Sequence, residues 1–149
     1  MTATGHAVIG TVIAAKIGNP YLAIPLALLS HIAADAFPHW DTATNRKKKS
    51  KAKLLSDTFL DVALSLTVPI FLGPFLNPSI NFVYTYIIVF FAQFFDWISA
   101  PYPLLNIRFA PIRLMYNFQL RFDNRLDKPW GIIGQAAVLI MLIVFAKII

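Results

Sequence analysis

The chain has no cysteine and no glutamate among its 149 residues. The first absence excludes disulfides and thiolate metal ligands, so any bound metal must be held by nitrogen and oxygen. The second leaves aspartate, present seven times, as the only acidic side chain. Charge is sparse as well: Asp, Lys and Arg together make 13% of the chain, against ~25% in an average soluble domain. There is no Gly-rich phosphate loop, no Gly-x-Ser-x-Gly elbow and no His-Glu-x-x-His pair, which removes the commonest nucleotide-binding, serine-hydrolase and metalloprotease signatures. Ser30 and His31 are adjacent. On a helix neighbouring side chains diverge, so they make no nucleophile–base pair.

What fills the chain instead is apolar. Hydrophobic residues make up 58% of it, above the roughly 45–50% of soluble domains. In hydrocarbon every backbone polar group must be paired internally, so spans are helices or a closed barrel. The apolar runs are long and do not alternate, which favours helices. The expected fold is therefore all-α: a polytopic integral membrane bundle in one domain, 1–149. The first lysine is Lys16, after the first apolar run, so that run reads as a retained span rather than a cleavable signal peptide.

Five helical segments are expected: about Gly5–Ile17, Tyr21–Phe37, Leu54–Leu72, Ser79–Ala100 and Pro129–Ile149. Turn signals separate them at Gly18-Asn19-Pro20, at Pro38, between Gly73 and Pro78, and at Pro101 and Pro103. Ser56 or Asp57 could cap the third segment, and Pro69 is expected to kink its far end. Two connections are basic. Arg46 to Lys53 carries six Lys and Arg, and Arg108 to Lys128 interleaves charge with Phe109, Leu114, Phe118 and Phe122. The second reads as an amphipathic helix lying in the interface. The positive-inside rule puts both connections, and with them the N-terminus, at the cytoplasmic face of the inner membrane. The net charge of +6 then points to a membrane surface, not to nucleic acid. Trp40, Trp97 and Trp130 mark the same interface as an aromatic belt.

This topology collects the ionisable groups at one end. His6 opens the first span, His31, Asp35, His39 and Asp41 close the second, Asp57 and Asp61 open the third, and Asp96 closes the fourth. Ionisable residues at membrane depth usually face the bundle interior and mark function. His31 and Asp35 stand four apart and share a helix face, as do Asp57 and Asp61. His and Asp from facing helices are the donors from which a bundle builds a metal site. Zinc takes such donors and keeps a position for water when catalytic. The expected ligands are His6, His31, Asp35, His39, Asp57, Asp61 and Asp96, with Asp61, Asp96 or His39 as proton acceptor. Arg108, Arg113 and Arg121 are candidates to meet a substrate phosphate.

Gly5-His6 before an apolar span, followed by Ser30-His31-x-x-x-Asp35-x-x-Pro38-His39-Trp40-Asp41, resembles a bacterial family of small inner-membrane metal-dependent hydrolases. Its motif is distantly similar to that of zinc-dependent phospholipase C. The resemblance covers about the first 41 residues. It implies that His6, His31, Asp35 and His39 bind metal and that later Asp residues complete the site. Members often carry His before the last span, and this chain has none between Tyr116 and Asp123. The expected function is hydrolysis of an ester or phosphoester of a lipid-like substrate at the cytoplasmic interface. The alternative is a non-catalytic scaffold or partner-binding protein in which the His/Asp cluster is structural. A proton- or cation-coupled carrier is disfavoured, because the outer halves of the spans lack acids.

Overall fold

The computed structural model describes all residues, Met1–Ile149, and is helical with no β-sheet. In chain order the helices are α1 (Ala3–Lys16), α2 (Pro20–Ala36), α3 (Lys51–Leu76), α4 (Phe82–Ala92), α5 (Phe94–Ser99), α6 (Pro101–Leu105), α7 (Ala110–Gln119) and α8 (Trp130–Ile148). A single 3-10 turn at Arg46–Lys48 leads into α3. Two helices, α3 and α8, are long and apolar enough to cross a membrane; α4 with α5–α6 makes a third if that bent pair is one span.

The central helix is α1, which packs against α2, α3, α4 and α8. Its sequence explains the position. Gly5, Ala7, Gly10 and Ala14 give it a thin, buried profile that neighbours can approach closely. A Cβ on Gly10 would come within 2.9 Å of Val89 Cα, so α1 and α4 nearly touch backbone to backbone. Around this contact Ile13, Ala14, Ala23, Ala27, Ile88 and Ala92 form the main core. The outer surface is apolar too. Leu29, Phe59, Leu64, Phe71, Val83, Met141 and Phe145 are among the large side chains left exposed, more than a soluble monomer normally leaves open.

Several local expectations shift. Asn19 caps α2 and Pro20 sits in its first turn, as the turn signal implies. For α3 the cap is Ser50, which accepts from Lys53 N–H. Ser56 and Asp57 therefore lie inside the helix, which starts earlier than Leu54. It also runs through Pro69, Gly73 and Pro74 to Leu76, so the expected connection after Leu72 is half helix. The fourth segment is not one rod. It breaks at Gln93 and bends by 58°. Gln93 is buried, and its Nε2 donates to Ala3 O at 2.9 Å, clamping the elbow to the start of α1.

The expected amphipathic helix is real only over α7. The chain beyond it turns at Leu120–Phe122 and runs extended to Lys128 against the segment that follows α2. Asn124 N–H donates to Asp35 O, His39 N–H to Asn124 O, and Leu126 N–H to His39 O. Gly131 permits this seam: a Cβ there would lie 2.1 Å from Leu126 O.

Candidate metal centre

Two groups of His and Asp donors form at one end of the bundle, and both have the chemistry and spacing to hold a metal ion. The first is His6, His31 and Asp96, whose ligating atoms all lie within 4.8 Å of one another. The His6 and His31 rings stack at 4.0 Å, 9° from parallel, and both are fully buried. Asp35 sits against both imidazoles, with Oδ1 3.2 Å from His6 Nε2 and Oδ2 3.2 Å from His31 Nε2. Asp96 faces them from the α4–α5 elbow at 3.8 and 3.7 Å. The Met1 amino group also contacts Asp35 Oδ1.

Hydrogen bonding fixes the His31 tautomer. Its Nδ1 lies 2.7 Å from Ala92 O. A carbonyl only accepts, so Nδ1 carries the proton and Nε2 of the neutral ring presents a lone pair. Gln119 Nε2 donates to Asp96 Oδ1 at 2.9 Å and approaches His31 Nε2 at 3.2 Å. The His31 lone pair therefore meets the Gln119 amide and lies beside two carboxylates. On His6, neither ring nitrogen has a hydrogen-bond partner despite full burial. Lone pairs and carboxylates crowded together repel; the Met1 ammonium offsets one carboxylate charge, and a metal ion among the donors would offset the rest. The residues present thus fit a metal ion.

The second group is His39, Asp41 and Asp123. Arg125 bridges its carboxylates, with Nε 3.0 Å from Asp41 Oδ2 and a terminal nitrogen 2.5 Å from Asp123 Oδ2. Burial alone would raise the Asp123 carboxyl, while the Arg125 guanidinium beside it acts in the opposite direction. Burial would likewise lower Arg125, and Asp41 and Asp123 more than reverse that, so its pKa is raised.

A cavity of about 220 Å³ joins the groups, with Asp35, Asp96 and Gln119 on one part of its wall and Asp41, Asp123 and Arg125 on another. Trp97, Leu54, Leu104 and Leu120 supply apolar lining.

Not every expected residue arrives. Asp57 pairs with Lys53 at 2.6 Å and Lys49 at 3.6 Å and belongs to neither donor group. Asp61 lines the cavity, but its carboxylate is committed: Ala3 N–H, Thr4 N–H and Thr4 Oγ1 all donate to it. It caps α1 from a neighbouring helix and so fixes the height of His6. Asp61→Ala is expected to lower stability by roughly 1–2 kcal/mol, the loss of a good N-cap, while leaving all the metal donors in place. Thermal melts and metal counts would show this; loss of the ion from a folded variant would contradict it. Arg108, Arg113 and Arg121 are exposed and off the cavity wall, where Arg46 and Arg125 stand instead. His39 does not join His6 but the second group.

Sequence reasoning missed Gln119, Asp123 and Arg125 as site residues. Asp123-Asn124 was the available signal, since Asp and Asn favour turns over helix interiors. No family model matches the chain, and no curated protein or solved structure is similar to it.

Proposed function

We propose that the chain is a membrane-embedded hydrolase that uses a divalent cation of the zinc type to cleave an ester or phosphoester of a lipid-like substrate. The observation that carries this reading is the cluster of two buried imidazoles and the Asp96 carboxylate within ligating distance of one another, His6 without any hydrogen-bond partner, beside a cavity that Asp35 and Asp96 line. His6, His31 and Asp96 are the ligands, with Asp35 beside both imidazoles. When bound, the cation would lower the pKa of a water and polarise the carbonyl or phosphoryl oxygen.

The chain's own residues supply the rest. The Ala92 carbonyl holds His31 in the ligating tautomer, as outer partners of metal-bound histidines do. Gln119 orients Asp96. Asp35 and Asp96, both on the wall, can accept the proton of the attacking water; Asp61 cannot, because its oxygens are taken. The leaving alkoxide then takes that proton as its bond to carbon or phosphorus breaks. The apolar lining suits an acyl or alkyl chain. The membrane reading rests on α3 and α8, on the apolar exterior, and on basic connections around the site. Lys49 and Lys128 both lie over the Trp40 ring, at 5.4 and 4.3 Å. With the positive-inside rule, this favours a site at the cytoplasmic face of the inner membrane.

The test is hydrolysis of nitrophenyl esters and phosphoesters in mixed micelles by the purified full chain. Turnover is expected to vanish on exhaustive chelation and to return with Zn²⁺. Turnover that survives chelation refutes the proposal. No turnover of either class by metal-loaded protein favours the scaffold reading, with the cluster as a structural element.

A further inference from the structure

Besides His6 and Gln135, the buried side-chain atoms without a hydrogen-bond partner are His39 Nε2 and Asp123 Oδ1. They stand 3.4 Å apart. His39 is fully buried, and its Nδ1 lies 2.7 Å from Phe37 O. The carbonyl again requires the proton on Nδ1, so the neutral ring turns a lone pair toward an anionic oxygen. Asp41 brings a third donor within 4.8 Å.

The surrounding groups compensate the negative charge here only in part. Arg125 binds the Oδ2 atom of each carboxylate. Thr44 Oγ1 donates to Asp41 Oδ1 at 2.8 Å. Asp123 Oδ1 is left free. Two carboxylates against one guanidinium leave the cluster one negative charge in excess. Such an excess beside a buried imidazole favours a cation.

We infer that His39 Nε2, Asp123 Oδ1 and Asp41 bind a second divalent cation, with Arg125 and Thr44 orienting the carboxylates. This goes beyond the single-ion reading above and rests on it only for the substrate class. One imidazole with two carboxylates is a more oxygen-rich set than the first, and it suits Mn²⁺ as well as Zn²⁺. Carboxylates of both groups, Asp96 of the first and Asp41 and Asp123 of the second, line the same cavity. A pair of cations with Arg125 nearby suits the charge of a phosphoryl group better than that of a carboxylic ester. The substrate class is therefore a phosphoester. The competing arrangement is a protonated His39 paired with Asp123, which takes no ion.

The experiment counts metal. The full chain in detergent is stripped by chelation, titrated with Zn²⁺ or Mn²⁺, passed through gel filtration and analysed for ions per chain. Wild type is expected to hold two, and Asp123→Asn, His39→Gln and His31→Ala one each. Asp123→Asn and His39→Gln that keep the wild-type number overturn the second site. So does a wild-type count of one that only His31→Ala removes, an outcome that leaves the proposed function intact. A single ion lost in Asp123→Asn and His39→Gln but kept in His31→Ala supports the second site and removes the first. A count of zero removes both. The wild-type number needs no variant, so it decides even if a substituted chain aggregates.

Discussion

Replacing His31 with alanine is expected to strip the first ion and to reduce hydrolysis by more than the ~10–100-fold typical of losing an outer-shell partner. The side chain is fully buried, stacks on His6, and joins Asp35 to the Ala92 carbonyl. Its removal takes away a nitrogen donor and leaves that carbonyl without its imidazole. It also opens a space beside His6, which loses its stacking partner. Unpaired buried polar groups cost roughly 1–3 kcal/mol each, so the metal-free variant should also melt earlier. Ion retention through gel filtration, initial rates and melting temperature separate these effects. Unchanged retention and unchanged rates in a folded His31→Ala would contradict the assignment. The same loss of stability with neither ion nor turnover in wild type is the signature of a structural cluster.

Gly10→Val is expected to have a comparable effect without touching a donor. The Cβ alone would fall 2.9 Å from Val89 Cα and 3.0 Å from Ala92 Cβ. Neither backbone can yield without moving a helix. Overpacking of this kind costs about 1–3 kcal/mol. Because Ala92 O anchors His31 and Gln93 pins the elbow to α1, forcing α1 and α4 apart also moves His31 relative to Asp96. The expected result is a lower melting temperature together with weaker ion binding, measured by melts with and without Zn²⁺. A variant that melts early yet binds the ion at wild-type strength would show that the close approach serves packing alone.

The helices of the first half were readable because their ends are marked by local chemistry. Asn19-Pro20 starts α2, and the residue before Pro38 is pushed out of the helical region. The spacing of His31 and Asp35 placed them on one face, and the alternation of spans brought His6 and Asp96 to the same end. What could not be read depends on contacts distant in sequence. Asp61 has the same residue type and spacing as a ligand, yet it serves α1, and nothing local reveals that Ala3 and Thr4 lie above it. The break at Gln93 falls inside an unbroken apolar run, with its Nε2 bond to Ala3 O lying 90 positions away. Asp123 and Arg125 sat in a segment whose mixture of charge and aromatics matched a surface helix. Only its pairing with Asp35 and His39 backbone turns it inward.

The helix at the centre of the bundle is made before those that enclose it. Until those helices are made, His6 and Thr11 have none of them to shield them. Translation at ~5–20 residues per second puts the delivery of α4 and its elbow on the order of ten seconds behind. A chain arrested before Asp96 would hold an incomplete donor group. The full set of donors, His6, His31 and Asp96, exists only in a polypeptide made at least through the elbow.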